Sequence, residues 1–305
     1  MFALTSSVPP PLETTSVPTP GFWVHNLDPL LVRFPEGFWL EGLRWYGLAY
    51  VAGFVMAGIL LHSYRKRGRI SLNSDQISTL LTAIVLGVLV GGRLGYVFGY
   101  MLPQNPRLLL DEPLSIFRVD KGGMASHGGM IGVWIALAWF ARRTKTRFWN
   151  LMDISATLAP AGLFFGRIAN FINGELWGRE TDVAWAVIFR PSYSSNIYLL
   201  PRHPSQLYEA GLEGLLLLVW TQWRFRKGRL PEGRLAGETM LGYAIVRVFC
   251  EIFREPDAGV SLVLGLSRGQ FYSLFLGIFG MAIIIWATRK NRGIGDDGVE
   301  TPKNA

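Results

Sequence analysis

Long apolar stretches recur along the 305 residues, each approaching the ~20 residues a helix needs to cross ~30 Å of hydrocarbon. They fall at roughly 44–62, 76–99, 126–141, 150–170, 205–223, 236–254 and 267–288. Half of the residues are hydrophobic, only 17% are charged and the mean hydropathy is +0.27, a balance that suits a polytopic membrane protein and excludes an ordinary soluble enzyme. The expected fold is therefore all-α, with about seven transmembrane helices and a small extracytoplasmic head region at about 171–204. The third span is short and rich in glycine, and is expected to enter as a loop before it becomes a helix.

Basic residues set the orientation, because cytoplasmic loops hold Lys and Arg in excess. Arg65, Lys66, Arg67 and Arg69 follow the first span, Arg142, Arg143, Lys145 and Arg147 the third, Arg224, Arg226, Lys227, Arg229 and Arg234 the fifth, and Arg289, Lys290 and Arg292 the seventh. This alternation places the N-terminus outside and the C-terminus in the cytoplasm. It also accounts for a pI near 9.8 without nucleic acid, since the charge is spread over separate loops. Residues 1–43 read as an extracytoplasmic segment with a disordered Pro/Ser/Thr-rich start and an aromatic, interfacial remainder, without a cleavable signal peptide. Residues 289–305 read as a polar cytoplasmic tail.

Charge inside such a framework needs a reason. An Arg near the bilayer centre is unfavourable by ~3 kcal/mol, whereas a Leu or Phe returns only ~0.5 kcal/mol. The segment GRIANFINGELWGR, Gly166 to Arg179, nevertheless places two arginines, two asparagines and a glutamate where the fourth span runs out. A second polar set lies on the sixth span, where Tyr243, Arg247, Glu251 and Arg254 follow at helical spacing and form one stripe within roughly 80° of arc. Two arginines against one glutamate leave a positive surplus there, which suits an anionic ligand, and the guanidinium fork matches phosphate oxygens. Third is GGMASHGGMIG, residues 122 to 132, in which His127 sits among glycines that permit irregular backbone beside a membrane segment. A neutral imidazole there is a candidate proton acceptor.

Other chemistries find little support. The single cysteine, Cys250, allows no intrachain disulfide and reads as core. His25, His62, His127 and His203 show no metal-binding spacing, so no metal is expected. Neither a nucleophile elbow nor a P-loop is present.

Taken in order, LRWYGLAY, GGRLGY, HGG, GRIANFINGELWGR, HPSQLYE and RVFCEIFREPD resemble the prolipoprotein diacylglyceryl transferase family from about Arg44 to Arg254, with Ala169 standing where the family usually has glycine. The resemblance implies an enzyme of the bacterial inner membrane, with a catalytic domain at 44–288, that needs no cofactor. It would move the diacylglyceryl group of phosphatidylglycerol onto the lipobox cysteine of a prolipoprotein signal peptide and release glycerol phosphate. On that reading His127 is the base for the thiol, Arg167 and Arg247 hold the phosphate, and Asn170, three residues after Arg167, orients the headgroup. Glu251 would aim Arg247, with Arg254 completing the stripe. Tyr46, Tyr243 and Gly178 are carried over from the family's site. A transporter or flippase that binds anionic lipid at the same arginines is the competing reading, although no matching inverted halves are visible.

Overall fold

The computed structural model describes residues 21–35, 37–38, 41–107, 112–117, 123–189, 200–228, 230–255 and 265–290. The expected disordered start, residues 291–305 of the polar tail, Gly122 and residues 190–199 of the head region lie outside the described residues, while Arg289 and Lys290 of that tail are helical.

Every apolar stretch becomes a helix. α1 is Trp45–Lys66 and α2 is Ser74–Tyr96, continued by a π turn at Val97–Met101 and a last turn at Leu102–Gln104. α3 is Ser126–Thr144, α4 Phe148–Ile172, α6 Arg234–Cys250 and α7 Arg268–Lys290. α5 has three parts, α-helical at Ser205–Glu209, π-helical at Ala210–Leu216 and α-helical again at Leu217–Lys227. Among the described residues, three helices are long and apolar enough to cross a membrane by length and composition: Trp45–Lys66, Ser74–Gln104 and Arg268–Lys290. The third stretch is helical from Ser126 onward, with only residues 123–125 as a lead-in.

Glycine decides which helices pair closely. Gly87, Gly91 and Gly95 repeat every fourth residue on α2 and face Gly128 and Gly132 of α3. A Cβ on Gly87 would lie 2.7 Å from the Gly132 carbonyl oxygen, and one on Gly95 2.6 Å from the Gly128 Cα. Where lipid supplies no hydrophobic drive between helices, such backbone proximity is what holds a pair together. Gly237 and Gly280 do the same for α6 and α7.

The apolar core sits at the end of the bundle where α1, α3 and α5 finish and α2, α4 and α6 begin. Leu61, Ile77, Leu80, Leu137, Phe140, Leu151, Phe225 and Leu235 meet there. Within it, the Tyr64 hydroxyl donates to Gln222 Oε1 at 2.7 Å, and Gln222 Nε2 donates to the Thr157 carbonyl at 3.0 Å, one turn before Pro160, which lies inside α4 and lacks an N–H for the helix ladder.

Asp153, fully buried on α4, receives hydrogen bonds from the Gly233 N–H at 2.7 Å and the Ala236 N–H at 2.8 Å. It thus caps the start of α6 from a neighbouring helix, answering donors that a helix start leaves unpaired. Arg167 follows Asp153 by fourteen residues and Arg247 follows Gly233 by fourteen, about 21 Å of rise in each case. One hydrogen-bonded clamp therefore brings two arginines on separate helices to one height.

At the opposite end lies a cap of short strands. β1 (Trp23–Val24) pairs in parallel with β4 (Val187–Ile188), and β2 (Leu30–Arg33) in antiparallel with β3 (Gly42–Arg44). His25 ties this cap to α4, its Nε2 lying 2.7 Å from the Phe171 carbonyl oxygen while its ring packs between Phe171 and Phe189. Burial holds its pKa below the usual 6.5 despite the opposing effect of that hydrogen bond. Because the unfolded imidazole binds its proton more readily, the clasp contributes its full stability above pH 6.5 and loses it as pH falls through the lower folded value. Hydrogen exchange at residues 23–25, corrected for intrinsic rates, should therefore accelerate between pH 6.5 and 5, and His25→Gln should flatten that dependence. A profile identical in both proteins would assign the clasp to the strands alone.

Candidate active site

Three arginines and three glutamates converge where the apolar helices meet the cap. Arg167, near the end of α4, places Nε 3.0 Å from Glu209 Oε2 and Nη2 3.2 Å from Glu213 Oε2. Arg247 of α6 approaches the same acids from the other side, with Nη1 2.5 Å from Glu209 Oε1 and 3.2 Å from Glu213 Oε1. Its Nη2 lies 2.8 Å from Glu251 Oε2, and Arg254 Nη1 reaches Glu209 Oε1 at 3.4 Å. Each of Glu209 and Glu213 thus bridges both principal arginines.

The local fold explains the convergence. Glu209 ends the first α-helical turn of α5 and Glu213 lies in the π segment, so the wider π turn keeps both carboxylates on the side facing α4 and α6. A π segment breaks the ordinary hydrogen-bond ladder and is frequent at functional positions. Gly214 admits the close approach, since a Cβ on it would lie 2.6 Å from the Phe164 Cα. Both acids are fully buried, and removing one member of such a pair costs ~3–5 kcal/mol because it strands the partner's charge.

These acids correct the sequence-based charge balance. The expected surplus of two arginines over one glutamate becomes three against three, because Glu209 and Glu213 come from a different helix. The signal that would have found them was present: Glu213 interrupts the apolar run GLEGLLLLVW, the same anomaly that singled out the arginines.

The expected stripe on the sixth span is also altered. α6 ends at Cys250, Glu251 is its C-cap and Arg254 lies beyond in an extended bridge opposite Gly178. Arg254 therefore joins the cluster from the cap and not from a continuing helix. Gly178 donates its N–H to the His203 carbonyl at 2.9 Å and accepts from Arg202 Nη1 at 3.2 Å. A Cβ there would lie 2.6 Å from the His203 carbonyl oxygen, so the crossing of chains that carries Arg254 requires glycine.

Asn170 is buried and donates Nδ2 to Glu175 Oε1 at 2.8 Å, with Asn173 donating to the same oxygen at 3.2 Å. Gln206 Nε2 holds the Glu175 carbonyl at 2.6 Å, and Ser205 Oγ holds that of Leu176 at 3.0 Å. Leu176 has φ +59°, a left-handed conformation uncommon outside glycine, so these bonds maintain a strained turn after α4. Tyr243, half-buried on α6, lies within electrostatic range of Glu213, Arg247, Arg167 and Glu209. Cys250 is fully buried.

Two predicted site residues stand apart. Tyr46 packs edge-on against Tyr50, with ring centroids 5.4 Å apart, and His127 against Tyr272 at 5.2 Å. Among the described residues, no hydrogen bond, ion pair or ring contact joins either to Arg167 or Arg247. His127 occupies the first turn of α3, and the loop before it is held from α2. Buried Arg93 donates Nε to the Ile116 carbonyl at 2.8 Å, Nη2 to that of Ser115 at 2.7 Å and Nη1 to that of Gly123 at 3.1 Å.

The arrangement offers forked cations in an apolar surround, the features needed to hold a phosphodiester whose tails are lipid. Comparison with known proteins agrees. The profile of the family described as prolipoprotein diacylglyceryl transferase matches residues 37–286. The phosphatidylglycerol–prolipoprotein diacylglyceryl transferase of Proteus mirabilis is 43% identical over 268 residues, covering 82% of this chain and 90% of that protein. Its namesake in Pseudoalteromonas atlantica is 44% identical over 293 residues, covering 93% and 96%, and that of Photobacterium profundum 44% over 263 residues, covering 86% and 94%. With the match spanning nearly all of the helical bundle and all six charged residues of the cluster, the chain belongs to the prolipoprotein diacylglyceryl transferase family.

Proposed function

We propose that this membrane transferase joins the diacylglyceryl group of phosphatidylglycerol to the cysteine thiol of a prolipoprotein lipobox, making a thioether and releasing glycerol phosphate. The observation that carries the reading is the pair of arginine forks, Arg167 and Arg247, fixed at one height by shared carboxylates at the edge of an apolar bundle. In the reaction the sulfur bonds to the glycerol carbon bearing the phosphate, the carbon–oxygen bond breaks, and that oxygen leaves as part of glycerol phosphate. The thiol proton passes to a base.

Arg167 is the first contact for the phosphate. Its side chain keeps 16% exposure against 10% for Arg247 and 9% for Arg254, and its Nη1 takes no part in the ion pairs above. Arg247 then stabilises the charge that builds on the departing oxygen, as a preorganised cation does. His127 accepts the thiol proton. A free thiol of pKa about 8.5 is only a few per cent thiolate at neutral pH, so a base is needed. Asn170 acts on the headgroup through the turn it holds, and Tyr243 and Tyr46 border the lipid. The membrane arrangement is seven crossings, with the N-terminus and the cap outside and the C-terminus in the cytoplasm, in keeping with the alternating basic ends of α1, α3, α5 and α7.

Purified protein in phosphatidylglycerol liposomes with a lipobox peptide should give a peptide heavier by one diacylglyceryl group, by mass spectrometry, with a chelator present. Liposomes in which lipid is moved across the bilayer while the peptide stays unmodified would replace the transferase reading with a flippase.

Arg247→Lys keeps the charge and loses the fork that spans Glu209, Glu213 and Glu251. Losing ~3 kcal/mol of transition-state stabilisation slows turnover more than a hundredfold, which single-turnover kinetics would read directly. Near-normal turnover in a folded Arg247→Lys protein would reduce the requirement to positive charge. His127→Asn should lower turnover by ~10²–10⁴-fold while phosphatidylglycerol affinity stays within error, since the arginines hold the lipid. Normal turnover from pH 6 to 8 would remove His127 from the chemistry.

A further inference from the structure

The first turn of α7 touches both halves of this site. Ser267 and Gln270 cap it reciprocally: the Gln270 N–H donates to Ser267 Oγ and the Ser267 N–H to Gln270 Oε1, each at 3.1 Å. The start of the helix is thereby fixed, and Gly269 and Tyr272, three residues apart, share one face.

Gly269 lies directly against Glu251. A Cβ on it would lie 2.6 Å from Oε2 and 2.7 Å from both Cδ and Oε1, closer than non-bonded atoms come. Glu251 Oε2 is buried and 2.8 Å from Arg247 Nη2, yet the contact lacks hydrogen-bond alignment. Packing, more than a directed bond, therefore sets where this carboxylate rests. Three residues on, the ring of Tyr272 meets the ring of His127 edge to face, 5.2 Å between centroids at 67°. Of the groups assigned roles above, Glu251 and His127 come from different helices and belong to different halves of the reaction.

We propose that the first turn of α7 is a positioning element, in which Gly269 leaves the space that lets Glu251 aim Arg247, Tyr272 sets the ring of His127, and their shared face fixes the base relative to the phosphate anchor. The proposal rests on the transferase reading, and the helix itself carries no reacting atom. It adds a steric requirement at 269 and an aromatic one at 272.

Gly269→Ala tests the first contact cleanly. The atoms it would strike are the far end of the Glu251 side chain and not backbone, and alanine favours a helix over glycine, so the fold should survive while the aim is lost. Turnover in the liposome assay should drop by about tenfold to a hundredfold, the scale on which a misplaced group acts, while the thermal midpoint in detergent holds or rises. Adding Glu251→Asp, one methylene shorter, should recover activity over Gly269→Ala alone, although Glu251→Asp by itself is impaired. Tyr272→Phe should turn over normally, whereas Tyr272→Ala should be slower and show a displaced pH–rate profile. Wild-type turnover in Gly269→Ala, a double variant no better than Gly269→Ala, or equal activity in Tyr272→Ala and Tyr272→Phe would each overturn the proposal. If Gly269→Ala does not fold, the Tyr272 pair decides alone. A wild-type protein that modifies no peptide would instead refute the transferase reading beneath it.

Discussion

Six opposite charges buried at the end of an apolar bundle govern this structure. Arg167, Arg247 and Arg254 against Glu209, Glu213 and Glu251 form a network in which each member is intolerable without the others. Four segments must therefore close on one point: the end of α4, the start of α5, the end of α6 and the bridge after it. The devices elsewhere serve this closure. Asp153 sets α4 and α6 in step from the far end, Gly214 lets the π segment of α5 approach α4, and Gly178 lets the cap cross over Arg254.

A neutral network changes how the site is understood. Free cations would attract any anion, whereas on the proposed reading arginines already held by carboxylates offer a phosphodiester an exchange of partners. The forks are preorganised before the lipid arrives, which is where electrostatic catalysis gains most. In the proposed reaction the negative charge behind them weakens the ground-state hold on the lipid, leaving stabilisation to grow as the leaving oxygen gains charge.

Much of this was legible in the sequence, and the failures are physical. Apolar length located the seven helices α1 to α7 among the described residues, and the cost of intramembrane arginine drew attention to Arg167 and Arg247. Glu209 and Glu213 were not placed with the arginines because they lie on a different helix and because a π segment leaves no trace in a 3.6-residue period. The stripe on α6 ran too far because the stop signal in VFCEIFREPD, Pro256, falls six residues after Cys250, and nothing there marks the strand-like bridge that fixes Arg254 to Gly178. That His127 packs on Tyr272 and not on the arginines was likewise invisible, since it depends on which helices meet and not on spacing along the chain.

The most direct test of the central claim is phosphatidylglycerol affinity and single-turnover rate measured together in Glu213→Gln. Removing one carboxylate leaves the network one positive charge in excess and both arginine forks less constrained. Tighter binding of the anionic lipid combined with slower transfer is the predicted result, because ground-state attraction rises while the transition-state geometry is lost. Tighter binding with an unchanged rate would show that the carboxylates only neutralise charge, and unchanged affinity with an unchanged rate would show that the site depends neither on the charge of Glu213 nor on how it holds the arginines.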